Sequence, residues 1–593
     1  MRTRARHYAM LFAGEKTMRN RKLRWMGFLI SLVLIGAIVA FSGCISEEKD
    51  SDGDGIPDSE DQYPGEDDKL YLDDDGDGVI NKDDEYPGRN DTRFGGAFVR
   101  WSSEPSTLDP QLVTDQASIE ICIKVFDTLV HFAPGTTEIE PGLAKSWDVS
   151  DDGLEYTFYL REGVKFHNGR NMTADDVKYS FDRLVSEELA SPRATFASEI
   201  SDVTVVNATT VKLTLEYPFI PFLSKLAYPS FAPLPQEEVE AAGEDWSKNP
   251  VGTGPFKFVK WDAGSVVVIE AFDDYWNGRP YIDTYEYYVH EDEEVIWQGF
   301  LAGDVSLSGV PSPHWEEYLE DDELQEYSMT VSELVTYWLY FNCETWPFKE
   351  KAIRNAVCYG LKKKEILDTI FKGRHLEARG PLPPSLWGFD QGLYDDYEYT
   401  YDPAAAKALL DENGIVDSNG DGIREYEGQE LKIEYQSYVS DTWQTAAETH
   451  LANLREIGIE AEYNQYDFAT LIGNMDEGNY TLMTLGWGTD YPDPENFMIL
   501  WETQNIPDPN SARYSNPTFD QLAADAKAEA DTEKRLQMYK DMTAILQEDN
   551  PQWWFFHPRS TFVWQPWIHG IKIGGQGESN EKMIDVWIEP DHQ

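Results

Sequence analysis

PGLAKSWDVSDDGLEYTFYLREGVKFHNGRNMTADDVKYSFDRL, running from Pro141 to Leu184, is the stretch that decides how this chain reads. Tyr156, Phe158 and Leu160 alternate with Glu155, Thr157 and Tyr159, the period of a strand with one buried face. Arg161 to Gly163 turns the chain, and Val164 and Phe166 open a second short strand, so a hairpin is predicted. Thr173 stands three residues before Asp176, a capping-box-like start. Val177, Phe181 and Leu184 then recur at the i, i+4, i+7 spacing of an amphipathic helix over Thr173 to Val185. His167, inside KFHNG, reads as a turn-stabilising imidazole.

Further along, helical patterns cover Lys349 to Lys362, Asp402 to Asn413, Trp443 to Ile457 and Asn516 to Asp531. They alternate with strand-like runs, which gives an α/β chain. At 593 residues it is too long for one core and suits two or three domains. The formal charge is −59; Met1 to Cys44 carries about +7 and residues 45–93 about −14, which leaves about −52 on the globular part. Such a surface repels nucleic acid, so no nucleic-acid partner is expected. It suits a strongly solvated protein or the attraction of cationic and zwitterionic ligands.

The signature stretch resembles that of the extracytoplasmic solute-binding proteins of family 5, receptors that bring peptides, nickel and related solutes to ABC importers. Further segments resemble the family in order: STLDP (Ser106 to Pro110), PVGTGPFKFVKWDAG (Pro250 to Gly264), DDYWNGRPYID (Asp273 to Asp283), YFNCETWPFKEKAIRNAV (Tyr340 to Val357), YDPAAAKALLDENG (Tyr401 to Gly414) and GWGTDYPDPENF (Gly486 to Phe497). The resemblance implies a two-lobed type II periplasmic binding protein with an extra subdomain, monomeric and partnered by permease subunits. Carried over, lobe one takes 94–117, 243–331 and 556–593, the extra subdomain 118–242, and lobe two 332–555.

In peptide-binding relatives an aspartate in the loop matching GWGTDYPDPENF holds the ligand's α-amino group, and the match here is Asp490. A carboxylate flanked by Trp487 and Tyr491 suits an ammonium ion. Asp490 and Asp493 could instead only brace the turn around Pro492 and Pro494. Some relatives place an arginine shortly before the tryptophan for the ligand's carboxylate; Thr484 stands there in this chain. The chain is 13% aromatic with 19 Trp, and Trp101, Trp487, Tyr491, Trp501 and Tyr514 are the candidate groove residues, most other rings being core. Peptides are the expected ligands; oligosaccharides and nickel complexes are the alternatives, because fold does not choose among them.

The N-terminus reads as an export signal. Arg19, Arg21, Lys22 and Arg24 precede an apolar run from Trp25 to Phe41, and FSGC resembles a lipobox that would acylate Cys44. An uncleaved anchor is the rival reading, and both place the rest outside the cytoplasm. Residues 45–93 hold two calcium-loop patterns. Asp50, Asp52, Asp54, Asp58 and Asp61 take positions 1, 3, 5, 9 and 12 around Gly55; Asp73, Asp75, Asp77, Asn81 and Asp84 repeat this around Gly78. The repeat resembles thrombospondin type 3 calcium repeats, so structural calcium is expected in a stalk, against a merely acidic linker. Asp417 to Gly428 offers Asp417, Asn419, Asp421 and Glu425 but closes on Gly428, and a plain turn explains its glycines.

HExxH, GxSxG and phosphate-loop motifs are absent and the ten histidines are scattered, so no enzyme is expected. A calcium-rigidified adhesion protein would need more repeats or sandwich-like strands. Cys122, Cys343 and Cys358 remain after Cys44; a Cys343 to Cys358 disulfide is left open.

Overall fold

The computed structural model describes residues 89–577 and 581–593. The chain divides into two units, Met1–Thr92 and Arg93–Gln593, and the second carries the sheets and helices that position the site. Cys44 and the ten candidate calcium ligands from Asp50 to Asp84 lie outside the described residues.

Within the signature stretch, alternation does form the strand Glu155–Leu160, with Tyr156, Phe158 and Leu160 buried. The helix is Ala174–Leu184, capped by Thr173. Asp176 accepts from the Thr173 backbone N–H at 2.8 Å and takes both terminal nitrogens of Arg170 at 2.7 and 3.1 Å. Such a cap contributes about 1 kcal/mol. The predicted hairpin is corrected: Glu155–Leu160 pairs with Ala144–Val149 and Thr210–Leu215, while the 164–166 run forms only a bridge between Lys165 and Asn171. Both edges of the strand are already filled, so Val164 and Phe166 go into the core beneath it.

Four strands in the order 144–149, 155–160, 210–215, 200–207 make the antiparallel sheet of the extra subdomain. Lobe one holds a sheet of Ala97–Ser102, Thr284–Val289, Val266–Ala271 and Phe256–Asp262, the first pair parallel. Helix Gln116–Val125 spans the expected 117/118 boundary, yet its Ile119, Ile121, Cys122 and Val125 pack with Phe98 and Tyr285 of lobe one. Amphipathic burial, not the motif border, fixes where it belongs.

Lobe two is built on six strands, in the order 376–377, 552–557, 335–341, 482–488, 432–438, 460–466. The last three run parallel, so their carboxyl ends share one edge. The chain crosses between lobes twice, side by side. Ser328–Ser332 pairs with Arg559–Trp564 in lobe one, Val335–Phe341 pairs with Gln552–His557 in lobe two, and Glu333 N–H donates to Pro558 O at 2.9 Å between them. Ser332, expected to open lobe two, is the last residue of the lobe-one strand, paired with Arg559, and the 552–557 strand runs two residues past the expected 555/556 border.

All three described cysteines are free, so the disulfide left open is absent. In the 417–428 turn, Asp417 accepts from the N–H groups of Gly420 and Gly422 and Glu425 from that of Ser418. No group of three His, Cys, Asp or Glu among the described residues is placed to hold a metal ion, and no described helix is long and apolar enough to cross a membrane.

Candidate functional site

Strand Leu482–Gly488 lies between Val335–Phe341 and Lys432–Tyr438, and it delivers Trp487, Thr489 and Asp490 to the carboxyl edge of the lobe-two sheet. Crevices outside such edges are where open α/β sheets bind ligands. The loop is tied to the crossover, because Thr489 N–H donates to Leu334 O at 3.0 Å.

Asn496, only 2% exposed, organises that loop. Its Oδ1 accepts from Trp487 Nε1 at 3.2 Å, from Thr489 Oγ1 at 3.0 Å and from the Asp490 N–H at 3.0 Å. Three donors on one oxygen fix the direction of the backbone at Asp490. The Asp490 side chain is exposed to water yet surrounded by enough protein that desolvation raises its carboxyl from the ordinary 3.8, against the pull of Arg193, an Asn496 hydrogen bond and Lys225. A ligand cation would relieve that cost.

Asp493 has the opposite role. It is buried and receives both terminal nitrogens of Arg535 at 2.7 and 2.9 Å, while Arg535 Nε donates to Ala526 O at 3.0 Å. Of the two aspartates, Asp493 braces the turn and Asp490 is left to face outward.

Tyr491, a groove candidate from the sequence, is corrected. It is buried, packed in the core of the extra subdomain with Lys225 Nζ 5.2 Å from its ring centre, and its hydroxyl donates to Glu495 Oε2. The ring has been drawn across the subdomain border by apolar burial, and it anchors the loop rather than touching a ligand. Ile220 N–H donating to Lys527 O at 2.8 Å ties the same two parts together.

Trp501 and Tyr514 are also corrected. Trp501 is fully buried in lobe two between Trp338 and Trp554, with ring centres 5.8 and 5.6 Å away. Tyr514 is buried with its hydroxyl on Asp549 at 2.5 Å. Neither offers a face to a ligand; large rings close to a loop in sequence were claimed by the core. Trp487 remains partly open beside Asp490. Trp101 is partly buried on the lobe-one strand, stacked on His290 at 4.2 Å and seated on Gly299, where a Cβ would come within 2.6 Å of the indole.

The sequence reading missed Tyr438, Val439 and Phe468. They end the strands and loops next to Leu482–Gly488, and Val439 and Phe468 are 68% and 60% exposed. Tyr438 lies 6.2 Å from Phe468 and 6.0 Å from Trp443, ring to ring. Exposed apolar groups along the carboxyl edge are the usual wall of a ligand site. His167 behaves as expected: its Nδ1 accepts from Gly252 N–H at 3.2 Å and its Nε2 donates to Gly254 O at 3.0 Å, with burial holding it near 4. It clamps the VGTGPF segment and touches no ligand position.

The family model for bacterial extracellular solute-binding proteins, family 5 (middle), matches residues 138–507. The chain belongs to this family. It is 29% identical over 472 residues to the dipeptide-binding protein of Escherichia coli K12, with 75% of this chain and 86% of that protein covered. Over 478 residues it is 30% identical to heme-binding protein A of Haemophilus influenzae, covering 75% and 84%. Among solved structures it resembles the ABC transporter-associated periplasmic binding protein DppA of Helicobacter pylori in complex with the peptide STSA, at TM-score 0.66 and 28% identity over 84% of this chain and 99% of that one. HbpA2 of Haemophilus parasuis aligns at TM-score 0.76 and 26% identity over 83% and 100%. This chain shares the two-lobed α/β architecture of these binding proteins.

Proposed function

We propose that this family member is a non-catalytic, extracytoplasmic receptor that closes its two lobes on a peptide and presents it to an ABC permease. The observation that carries the reading is the division between two neighbouring aspartates: Asp493 is consumed by Arg535, whereas Asp490 is held outward by Asn496 at a cost in desolvation. A carboxylate kept in that condition at the carboxyl edge of a sheet suits the α-amino group of a peptide. The resemblance to a dipeptide-binding protein and to a peptide complex supports this ligand class.

The test is a two-by-two comparison by titration calorimetry. Asp490→Asn should weaken binding of free-amino peptides by roughly ten- to a hundredfold, since charge-assisted hydrogen bonds contribute about 1.5–3 kcal/mol. N-acetylated peptides should bind the wild type poorly and lose little more in the variant. Equal losses for both would show that Asp490 only supports its loop.

The ends of the chain complete the proposal. Acylation of Cys44 would hold the receptor to the outer face of the membrane, and Cys44→Ser should then release it or leave an unprocessed precursor. Calcium bound by the aspartates of 50–61 and 73–84 would stiffen the stalk by neutralising clustered like charges. Titration of a 45–93 fragment with millimolar calcium should show uptake, and none would remove the idea.

A further inference from the structure

A peptide has a second charge, and the place where some relatives bind it is closed here. Thr484 is fully buried, and its Oγ1 is hydrogen-bonded to the Tyr435 hydroxyl at 2.6 Å, inside the lobe-two sheet. The other cations around the Asp490 loop are already committed. Lys225 Nζ donates to Glu199 at 2.6 Å in a buried pair, Arg535 holds Asp493, and Lys527 donates to Glu502 at 2.6 Å.

Arg193 differs from all of these. Its Nε donates to Val113 O at 2.9 Å, which fixes the guanidinium, and its plane is shared by two rings, Phe196 at 5.1 Å and Tyr228 at 5.0 Å. Among the described residues no carboxylate pairs with Arg193 within 4 Å. Tyr228 N–H donates to Lys225 O at 3.0 Å, and Lys225 Nζ lies 5.2 Å from the ring of Tyr491, so the ring that carries the guanidinium belongs to the same short segment that packs on the Asp490 loop. A stacked, pre-positioned guanidinium without a carboxylate partner is suited to a ligand carboxylate, which it can meet with two parallel hydrogen bonds.

We propose that Arg193, from the extra subdomain, binds the terminal carboxylate of the peptide whose amino group Asp490 holds in lobe two. This role depends on Asp490 being the ligand of the amino group. It makes the peptide a strut between the two parts, one charge on each.

The experiment measures binding of dialanine and trialanine to the full-length protein by calorimetry, each as free acid and as C-terminal amide, in wild type, Arg193→Gln and Arg193→Lys. The free acids should lose roughly ten- to a hundredfold in Arg193→Gln, with partial recovery in Arg193→Lys, which keeps the charge without the fork. The amides should bind the wild type weakly and change less than about threefold in either variant. Equal losses for acid and amide would reduce Arg193 to a support for Phe196 and Tyr228 and overturn the proposal. So would tighter binding of both forms, which would mark Arg193 as a competitor for Asp490. Weaker wild-type binding of N-acetyl dialanine than of dialanine, with acid and amide losing equally in Arg193→Gln, would leave the Asp490 reading standing and remove this one. Failure of the wild type to bind any of the four probes would overturn this proposal and leave the Asp490 reading to its own test.

Discussion

Asp490 and Asp493 stand three residues apart in one loop, and their substitution by asparagine should have opposite effects on stability. Asp493→Asn removes a charge from a pair in which both side chains are buried and leaves the Arg535 guanidinium with one poor acceptor. Breaking a buried, hydrogen-bonded pair from one side costs about 3–5 kcal/mol. For a unit of roughly 150–250 residues, each kcal/mol lowers the melting temperature by about 2–4 °C, so a fall of roughly 6 °C or more is expected. Asp490→Asn acts the other way. Its carboxyl is raised by desolvation, so the folded state favours the protonated form, and that stabilising preference is present at low pH and lost as pH rises through the folded value. At neutral pH the ionised Asp490 is a burden on the fold, and the amide should match or slightly exceed the wild-type melting temperature. The assay is differential scanning calorimetry of both variants without ligand, at about pH 7 and again at about pH 4.5, where the Asp490→Asn advantage should shrink. A wild-type melting temperature in Asp493→Asn, or a fall of several degrees in Asp490→Asn, would refute the division of roles on which the functional proposal stands.

Asn496→Ala takes the acceptor from Trp487 Nε1–H and from the Asp490 N–H, while Thr489 Oγ1 keeps Tyr491 O, and peptide affinity should fall at least about tenfold even though Asn496 touches no ligand, which calorimetry would read as a rise in Kd. His167, held near 4 by burial, should remain neutral to about pH 5; because its folded value is depressed, its contribution to stability is lost as pH falls from 6.5 toward 4, and an imidazole NMR signal that titrates near 6.5 in the folded protein would contradict this. Gly252→Ala should not fold normally, since a Cβ there would stand 2.0 Å from Val125 O; secretion yield and melting temperature close to wild type would show that the VGTGPF segment can shift away.

What could be read from the sequence were the elements whose causes are close along the chain. The helix Ala174–Leu184 needs only its apolar spacing and the Thr173 cap, and Pro403–Glu412 and Pro517–Ala528 likewise begin where Asp402 and Asn516 supply caps. Ordered motifs identified the family, and with it Asp490. The partners were not legible. Glu155–Leu160 could have paired with any neighbour, and it was the strand at 210–215, far beyond the adjacent 164–166 run, that filled its edge.

The same holds for the site. Tyr491, Trp501 and Tyr514 lie near the ligand loop in sequence, but burial is decided by all the chain that surrounds a ring, and two separate cores took them. Val439 and Phe468 carry no local mark that they end exposed. The roles of the two aspartates were open for the same reason: local geometry suits both to brace a turn, and only the arrival of Arg535, 42 residues beyond Asp493, neutralises one and leaves the other. Short-range spacing sets helices, caps and turns because their hydrogen bonds close within a few residues. Desolvation and charge pairing depend on atoms brought in from far along the chain, and those the tertiary structure alone decides.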